Sequence, residues 1–250
     1  MGSVTSGFVT SVDATVHYLD CRPIDDGADL PPVLFVPGMT DVADDYREIA
    51  DHIGRRTIVI DLRGRGRSEA SDGWSLEHHV ADIAAVVDAA IDGPMHLMTF
   101  SRGTCYALAW LQHHADRVLS VSVGDYPARE IHIAPEIADR LLSSTWRGTP
   151  VHERVDPAAV RQVLAHSRDR DLWHVVDALE VPVAVVRSNA SAPIDDADWE
   201  RYARLAPGVR RERYDDSPHD IFRVDRGRYP RLVAEIAAEG DRSAGPAPGA

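Results

Sequence analysis

The chain has 250 residues, 44% of them hydrophobic, and a formal net charge of −13 at pH 7. That length can bury the core of one large domain, and no apolar run approaches the roughly 18 residues that cross a bilayer. An acidic balance argues against binding a phosphate backbone, which needs a cationic face; the local cluster Arg63, Arg65, Arg67 is the exception and reads as loop chemistry, with an anion site as the alternative. There is no lysine, so all 27 basic residues are arginine, which excludes Schiff-base and pyridoxal chemistry and a P-loop lysine. Cys21 and Cys105 form neither a metal-spaced set nor a disulfide framework. Residues 1–10 lack a basic segment followed by an apolar one, so no signal peptide is read and a cytoplasmic location is expected.

In chain order, residues 8–12 and 15–20 predict an opening antiparallel hairpin. Short β-rich apolar runs at 32–36, 57–61, 95–100 and 118–124 predict four buried strands, with helical spacing at 42–54, 76–91 and 102–114 between them. This alternation is the signature of a mostly parallel sheet covered by helices. After Asp125 the rhythm breaks: 126–179 holds helical pieces at 135–144, 157–166 and 172–179 but no convincing strand, and reads as a small helical cap. The rhythm resumes with a strand at 181–188, a helix at 195–205, a strand at 209–214 and a helix at 229–239. The expected organisation is therefore a core of 1–125 and 180–239, a cap of 126–179, and a disordered, Pro/Gly-rich tail of 240–250.

Ser101 lies between a predicted strand and helix in Thr99-Phe100-Ser101-Arg102-Gly103. A serine there takes a strained turn whose neighbours at two positions either side must be small, and its Oγ is lifted beside a helix N-terminus. Gly103 meets that demand; Thr99 stands where glycine is commoner. Val36-Pro37-Gly38-Met39 follows the third strand, and Asp61-Leu62-Arg63-Gly64-Arg65-Gly66-Arg67-Ser68 follows the fourth.

These three landmarks, in this order, resemble the α/β-hydrolase superfamily over residues 8–239; the second loop matches its D-x-x-G-x-G-x-S pattern. The resemblance implies an eight-stranded, mostly parallel sheet with helices on both faces and a cap. It also implies an oxyanion hole of two backbone N–H groups, on Arg102 after the nucleophile and on Met39 after Gly38. The base comes last in chain order, and His219, in Asp216-Ser217-Pro218-His219-Asp220, occupies that position. The usual acid site after the seventh strand falls on Ser191, which has no carboxylate. Asp195, Asp196 and Asp198 begin the next helix, where acidic residues complement the dipole, and are the alternatives for the acid. Asp125 ends the sixth strand, a position that holds the acid in some dehalogenases, some lipases and the zearalenone-type lactonases, and it is the expected third member.

The elbow holds serine rather than aspartate, which disfavours an alkyl-enzyme ester, and no His/Cys/Asp/Glu set has metal-ligand spacing. The expectation is a serine hydrolase of a small or medium ester, lactone or enol-lactone, without metal or cofactor, acting on a small molecule as a monomer or homodimer. A C–C bond hydrolase, a cyclase or lyase of the same fold, and a non-catalytic ligand-binding homologue are the alternatives. Tyr126, Trp146, Arg147 and Trp173, with Leu142 and Val176, are the candidates for lining a substrate pocket, Arg147 as a partner for a substrate oxygen.

Overall fold

The computed structural model describes residues 2–25, 30–189, 193–205 and 208–245. The strands are β1 Val4–Thr10, β2 Thr15–Cys21, β3 Val33–Val36, β4 Thr57–Ile60, β5 Met95–Phe100, β6 Val118–Gly124, β7 Val183–Ser188 and β8 Arg210–Tyr214. They form one eight-stranded sheet in the order β1-β2-β4-β3-β5-β6-β7-β8. From β4 to β8 all pairs are parallel, and the hairpin β1–β2 is antiparallel to itself and to β4. Strands β3, β4 and β5 are buried on both faces, which is why they read as unbroken apolar runs rather than alternating ones.

The period-2 geometry of a strand divides each run between two cores. In β3, Leu34 and Val36 enter one core and Val33 and Phe35 the other. The first core is covered by α2 Leu76–Ala90, α3 Gly103–Leu111, α7 Trp173–Asp177 and α8 Asp196–Arg204; the second by α1 Ile49–Ile53 and α9 Arg228–Ala244. The α2 residues Ile83, Val86 and Val87 are buried, the stripe that helical spacing predicts.

Two expectations need correction. Helix α9 continues to Ala244, so residues 240–244 are not a disordered tail. Its buried stripe of Leu232, Val233, Ile236 and Ala237 runs on into Gly240, where a Cβ would lie 2.4 Å from the Leu119 carbonyl oxygen. Asp241 then accepts from Arg55 at 2.5 Å and faces His96 Nε2 at 3.2 Å. Residues 246–250 lie outside the described residues. The expected cap also divides. Helices α4 Ala138–Leu142, α5 Val151–Arg154 and α6 Pro157–His166 build their own core around Leu142, Val151, Val155, Val160 and Leu164. The piece at 172–179 instead joins the main core through Trp173, Val175 and Val176. The cap also contains two-residue β pairings, Arg129–Glu130 with Arg170–Asp171 and Thr145–Trp146 with Thr149–Pro150, too short to leave a periodic signal.

Candidate active site

β5 ends at Phe100 and α3 begins at Gly103, so the turn between them is Ser101 and Arg102. Ser101 sits at φ 50°, a left-handed conformation that costs a non-glycine residue on the order of 1–3 kcal/mol. Its N–H is held by the Gly124 carbonyl at 2.8 Å. The turn closes because position 103 has no side chain: a Cβ there would lie 2.2 Å from the Pro37 carbonyl oxygen. Thr99 is accommodated because its buried hydroxyl bonds to Thr104 Oγ1 at 2.9 Å and to the Ser122 carbonyl at 3.3 Å.

The loop after β8 brings His219 over the elbow. Its Nε2 lies 2.8 Å from Ser101 Oγ and its Nδ1 2.7 Å from Asp125 Oδ2. With Nδ1–H donating to the carboxylate, Nε2 is the acceptor for the serine proton. The ring stacks on Phe100 with centroids 5.2 Å apart. Asp125 ends β6 at φ 53° and is fully buried. Ser188, the last residue of β7, donates its N–H to Oδ1 at 2.8 Å and its hydroxyl to Oδ2 at 2.7 Å. Ser188 was not among the sequence candidates; its only local signal is that it ends the strand next to β6.

The alternative carboxylates are engaged elsewhere. Asp195 caps α8 by accepting from the Asp198 N–H at 2.7 Å, Asp196 pairs with Arg187 at 2.7 Å, and Asp198 pairs with Arg129 at 2.9 Å. Ser191 lies outside the described residues.

Gly38 passes so close to the elbow that a Cβ there would be 3.0 Å from Ser101 Cβ, which brings the loop that carries Met39 against the turn that carries Ser101 and Arg102. Neither amide meets an acceptor among the described residues. The loop is set by Asp41, which accepts from the Gly38 N–H at 3.1 Å, Tyr46 Oη at 2.8 Å and Trp146 Nε1 at 3.0 Å. Burial and the Asp41 charge push the Tyr46 hydroxyl pKa well above its usual value, so it stays a donor. The Arg102 side chain turns away from the serine, reaching Tyr106 Oη, the Ile131 carbonyl and Glu130 at 2.9, 3.0 and 2.9 Å.

Of the expected pocket residues, Trp146 is at the site, its ring centroid 6.4 Å from that of His219. A cleft of 720 Å³ opens beside it, lined by Trp146, Gly148, Pro218, His219, Phe222 and Arg226 among others. Arg147 lines the same cleft, and its Nη1 is buried without a hydrogen-bond partner. It forms a fork to Asp220 at 2.9 and 3.1 Å, lies 3.5 Å from Asp41 and 3.6 Å from Asp45, and covers the Tyr46 ring at 4.6 Å. It therefore joins the cap hairpin to the loop after β3 and to the residue after His219. Trp173 is not brought to the site: it packs on Tyr202 at 4.5 Å under Arg201, in the main core. Tyr126, next to Asp125, is buried. Among the described residues no group of three or more His, Cys, Asp or Glu is arranged to hold a metal ion, and no helix is long and apolar enough to cross a membrane.

Replacing Arg147 by Met removes the cation shared by Asp41 and Asp220, whose side chains are 1% and 10% exposed. Orphaning one partner of a buried pair costs about 3–5 kcal/mol, so thermal unfolding should fall by on the order of 10 °C. An unchanged Tm would show that the cap is seated without this residue.

A serine at a strand-to-helix elbow, on a mainly parallel sheet of this strand order, defines a hydrolase-type α/β architecture. The chain matches the family model described as alpha/beta hydrolase fold over residues 31–160, and it belongs to that family. Among curated proteins, it is 27% identical over 223 residues to a pimeloyl-(acyl-carrier protein) methyl ester esterase of Methylococcus capsulatus, covering 73% of this chain and 84% of that protein. It is 28% identical over 129 residues to lipase LipV of Mycobacterium tuberculosis, covering 50% of this chain and 49% of that protein. Among solved structures, the enol-lactonase of Burkholderia xenovorans LB400 superposes with a TM-score of 0.76 at 18% identity, covering 93% of this chain and 100% of that one. At that identity the likeness concerns the fold.

Proposed function

We propose that this protein is a serine hydrolase that cleaves a small or medium carboxylic ester or lactone through an acyl-enzyme on Ser101. The observation that carries the reading is the unbroken relay from Ser101 Oγ to His219 Nε2 at 2.8 Å and from His219 Nδ1 to buried Asp125 at 2.7 Å. The esterase and lipase named above support the same chemistry, since each is named for the cleavage of an ester. A cleft of 720 Å³ beside His219 is within the usual range for small-molecule sites.

In this mechanism His219 takes the Ser101 proton as Oγ attacks the carbonyl carbon. The electron pair moved onto the carbonyl oxygen is met by the Met39 and Arg102 N–H groups, each such donor contributing about 10²–10³ in rate. Asp125 holds the imidazole tautomer and stabilises the imidazolium. Collapse of the tetrahedral intermediate breaks the carbon–oxygen bond, and His219 returns the proton to the leaving alkoxide. Water, deprotonated by His219, then repeats the sequence and frees the acid. The acid at Asp125, on the sixth strand, is the layout of the zearalenone-type lactonases. Ser188 holds that carboxylate with two donors, the support the acid needs to orient a histidine.

A fluorophosphonate probe tests the reading. Wild type is expected to be labelled stoichiometrically on Ser101 and to lose ester turnover in parallel. A folded protein that resists labelling would rule out an activated serine.

A further inference from the structure

The cleft of 720 Å³ beside His219 is lined by three arginines, Arg147, Arg223 and Arg226, and by one carboxylate, Asp220. Arg147 and Asp220 offset one another through their fork, and Asp41 and Asp45 lie 3.5 and 3.6 Å from the same guanidinium. Arg223 and Arg226 have no such partner. Both are exposed, and among the described residues neither forms an ion pair. Arg226 donates to a neutral acceptor, the Asp45 carbonyl, at 2.6 Å. The acids around them are committed elsewhere: Asp216 to Arg228, Asp225 to Arg231 and Asp45 to Arg154. In a chain of net charge −13, this one wall of the cleft carries two uncompensated cations. The turn that presents them is fixed directly after His219. Phe222 packs edge-on against Phe100 with centroids 5.4 Å apart, and the Arg223 N–H donates to the Asp220 carbonyl at 3.0 Å.

The cleft also lies on a definite side of the nucleophile. His219 lines it, and His219 Nε2 is 2.8 Å from Ser101 Oγ. Met39 and Arg102, whose amides are assigned to the oxyanion, are not among its walls. The proton that frees the leaving alkoxide comes from Nε2, so the leaving oxygen has to come within hydrogen-bond reach of that atom. The arm of the substrate attached to that oxygen is therefore the one that enters a cleft walled by His219.

We propose that this cleft is the alcohol-side subsite, and that Arg223 and Arg226 select an ester whose alcohol arm ends in an anion, a carboxylate or a phosphate. The proposal rests on the reading of Ser101 as nucleophile. Trp146, Pro218 and Phe222 give the body of the arm an apolar wall, and the two guanidiniums meet its charged end. Exposed charges each contribute modestly, so the pair is worth about three- to tenfold, and salt weakens it. Charge is read on the alcohol and not on the acyl group.

The test uses three butyrate esters of phenol that carry, at the meta position, a carboxylate, a phosphate or a neutral carboxamide. Wild type is expected to favour at least one anionic ester over the carboxamide in kcat/KM by about three- to tenfold, the larger preference identifying the group. Arg223→Gln/Arg226→Gln should bring both ratios to about one. Arg223→Gln alone, whose side chain has no hydrogen bond to lose among the described residues, should lower them by a smaller step. Moving the charge to the acyl arm, p-nitrophenyl hemiglutarate against p-nitrophenyl pentanoate, should give no gain. Wild-type ratios of one or less, ratios kept in the double variant, or an equal gain from acyl-side charge overturn the proposal. If no ester is turned over, the hydrolase reading fails by itself, and the cleft is tested by NMR titration with the free arms. The anionic arms, 3-hydroxybenzoate or 3-hydroxyphenyl phosphate, should then bind wild type more tightly than 3-hydroxybenzamide and lose that advantage in the double variant; equal binding, or none, overturns the proposal.

Discussion

Ser101→Ala is expected to lower kcat/KM for ester hydrolysis by about 10⁴–10⁶ while the protein stays folded. The substitution removes one oxygen from a partly exposed position, so no buried packing is lost. The alanine inherits the left-handed backbone that Ser101 adopts at φ 50°, at a strain cost no greater than that of serine. What disappears is, among the described residues, the one nucleophilic atom within hydrogen-bonding reach of His219 Nε2. A residual rate above that of water should persist, because the Met39 and Arg102 amides still bind the oxyanion. Turnover within tenfold of wild type would mean that the chemistry lies elsewhere.

Asp125→Asn is expected to reduce turnover by about 10⁴, the scale of losing a triad aspartate. Asparagine keeps the shape but offers His219 Nδ1 an amide, which turns the imidazole to the wrong tautomer. It also presents an NH₂ to a site where Ser188 already donates two hydrogen bonds, so buried donors face one another. Asp195→Asn serves as the control, since that side chain caps α8 and asparagine caps about as well as aspartate, so turnover and stability are both expected to stay close to wild type. A large loss in Asp195→Asn together with a small one in Asp125→Asn would transfer the acid role to the α8 side.

The parts of this site that were legible in the sequence are those with a local signature. Ser101 ends an apolar strand run and is followed by a glycine that sterics demand. His219 follows the last strand in chain order, and Asp125 ends a strand whose neighbour carries no acid. The residues that hold these three in place had no such signature, because their partners are distant in sequence. Ser188 and Asp125 are 63 positions apart, and Arg147 and Asp220 are 73 apart. Asp41 and Asp220 carry no local signature, because the groups that pair with them lie in the cap hairpin. Trp173 shows the converse: residue type suggested a substrate contact, but the ring packs on Tyr202 in the main core, whereas Arg147 lines the cleft while forking to Asp220. The end of α9 was missed because the Gly/Pro-rich composition beyond it masked a buried stripe that continues to Gly240. Arg65 was legible as a residue of the D-x-x-G-x-G-x-S loop, but only the fold reveals that it lacks the carboxylate pairs that Arg63 has.

The most direct measurement is mass spectrometry of the enzyme quenched during turnover of an activated p-nitrophenyl ester, with peptide mapping of any adduct. A serine hydrolase of this design predicts one acyl group per chain, on Ser101, accumulating early in the wild-type burst. Sustained turnover with no acyl adduct on Ser101, or with the adduct on another residue, would contradict it.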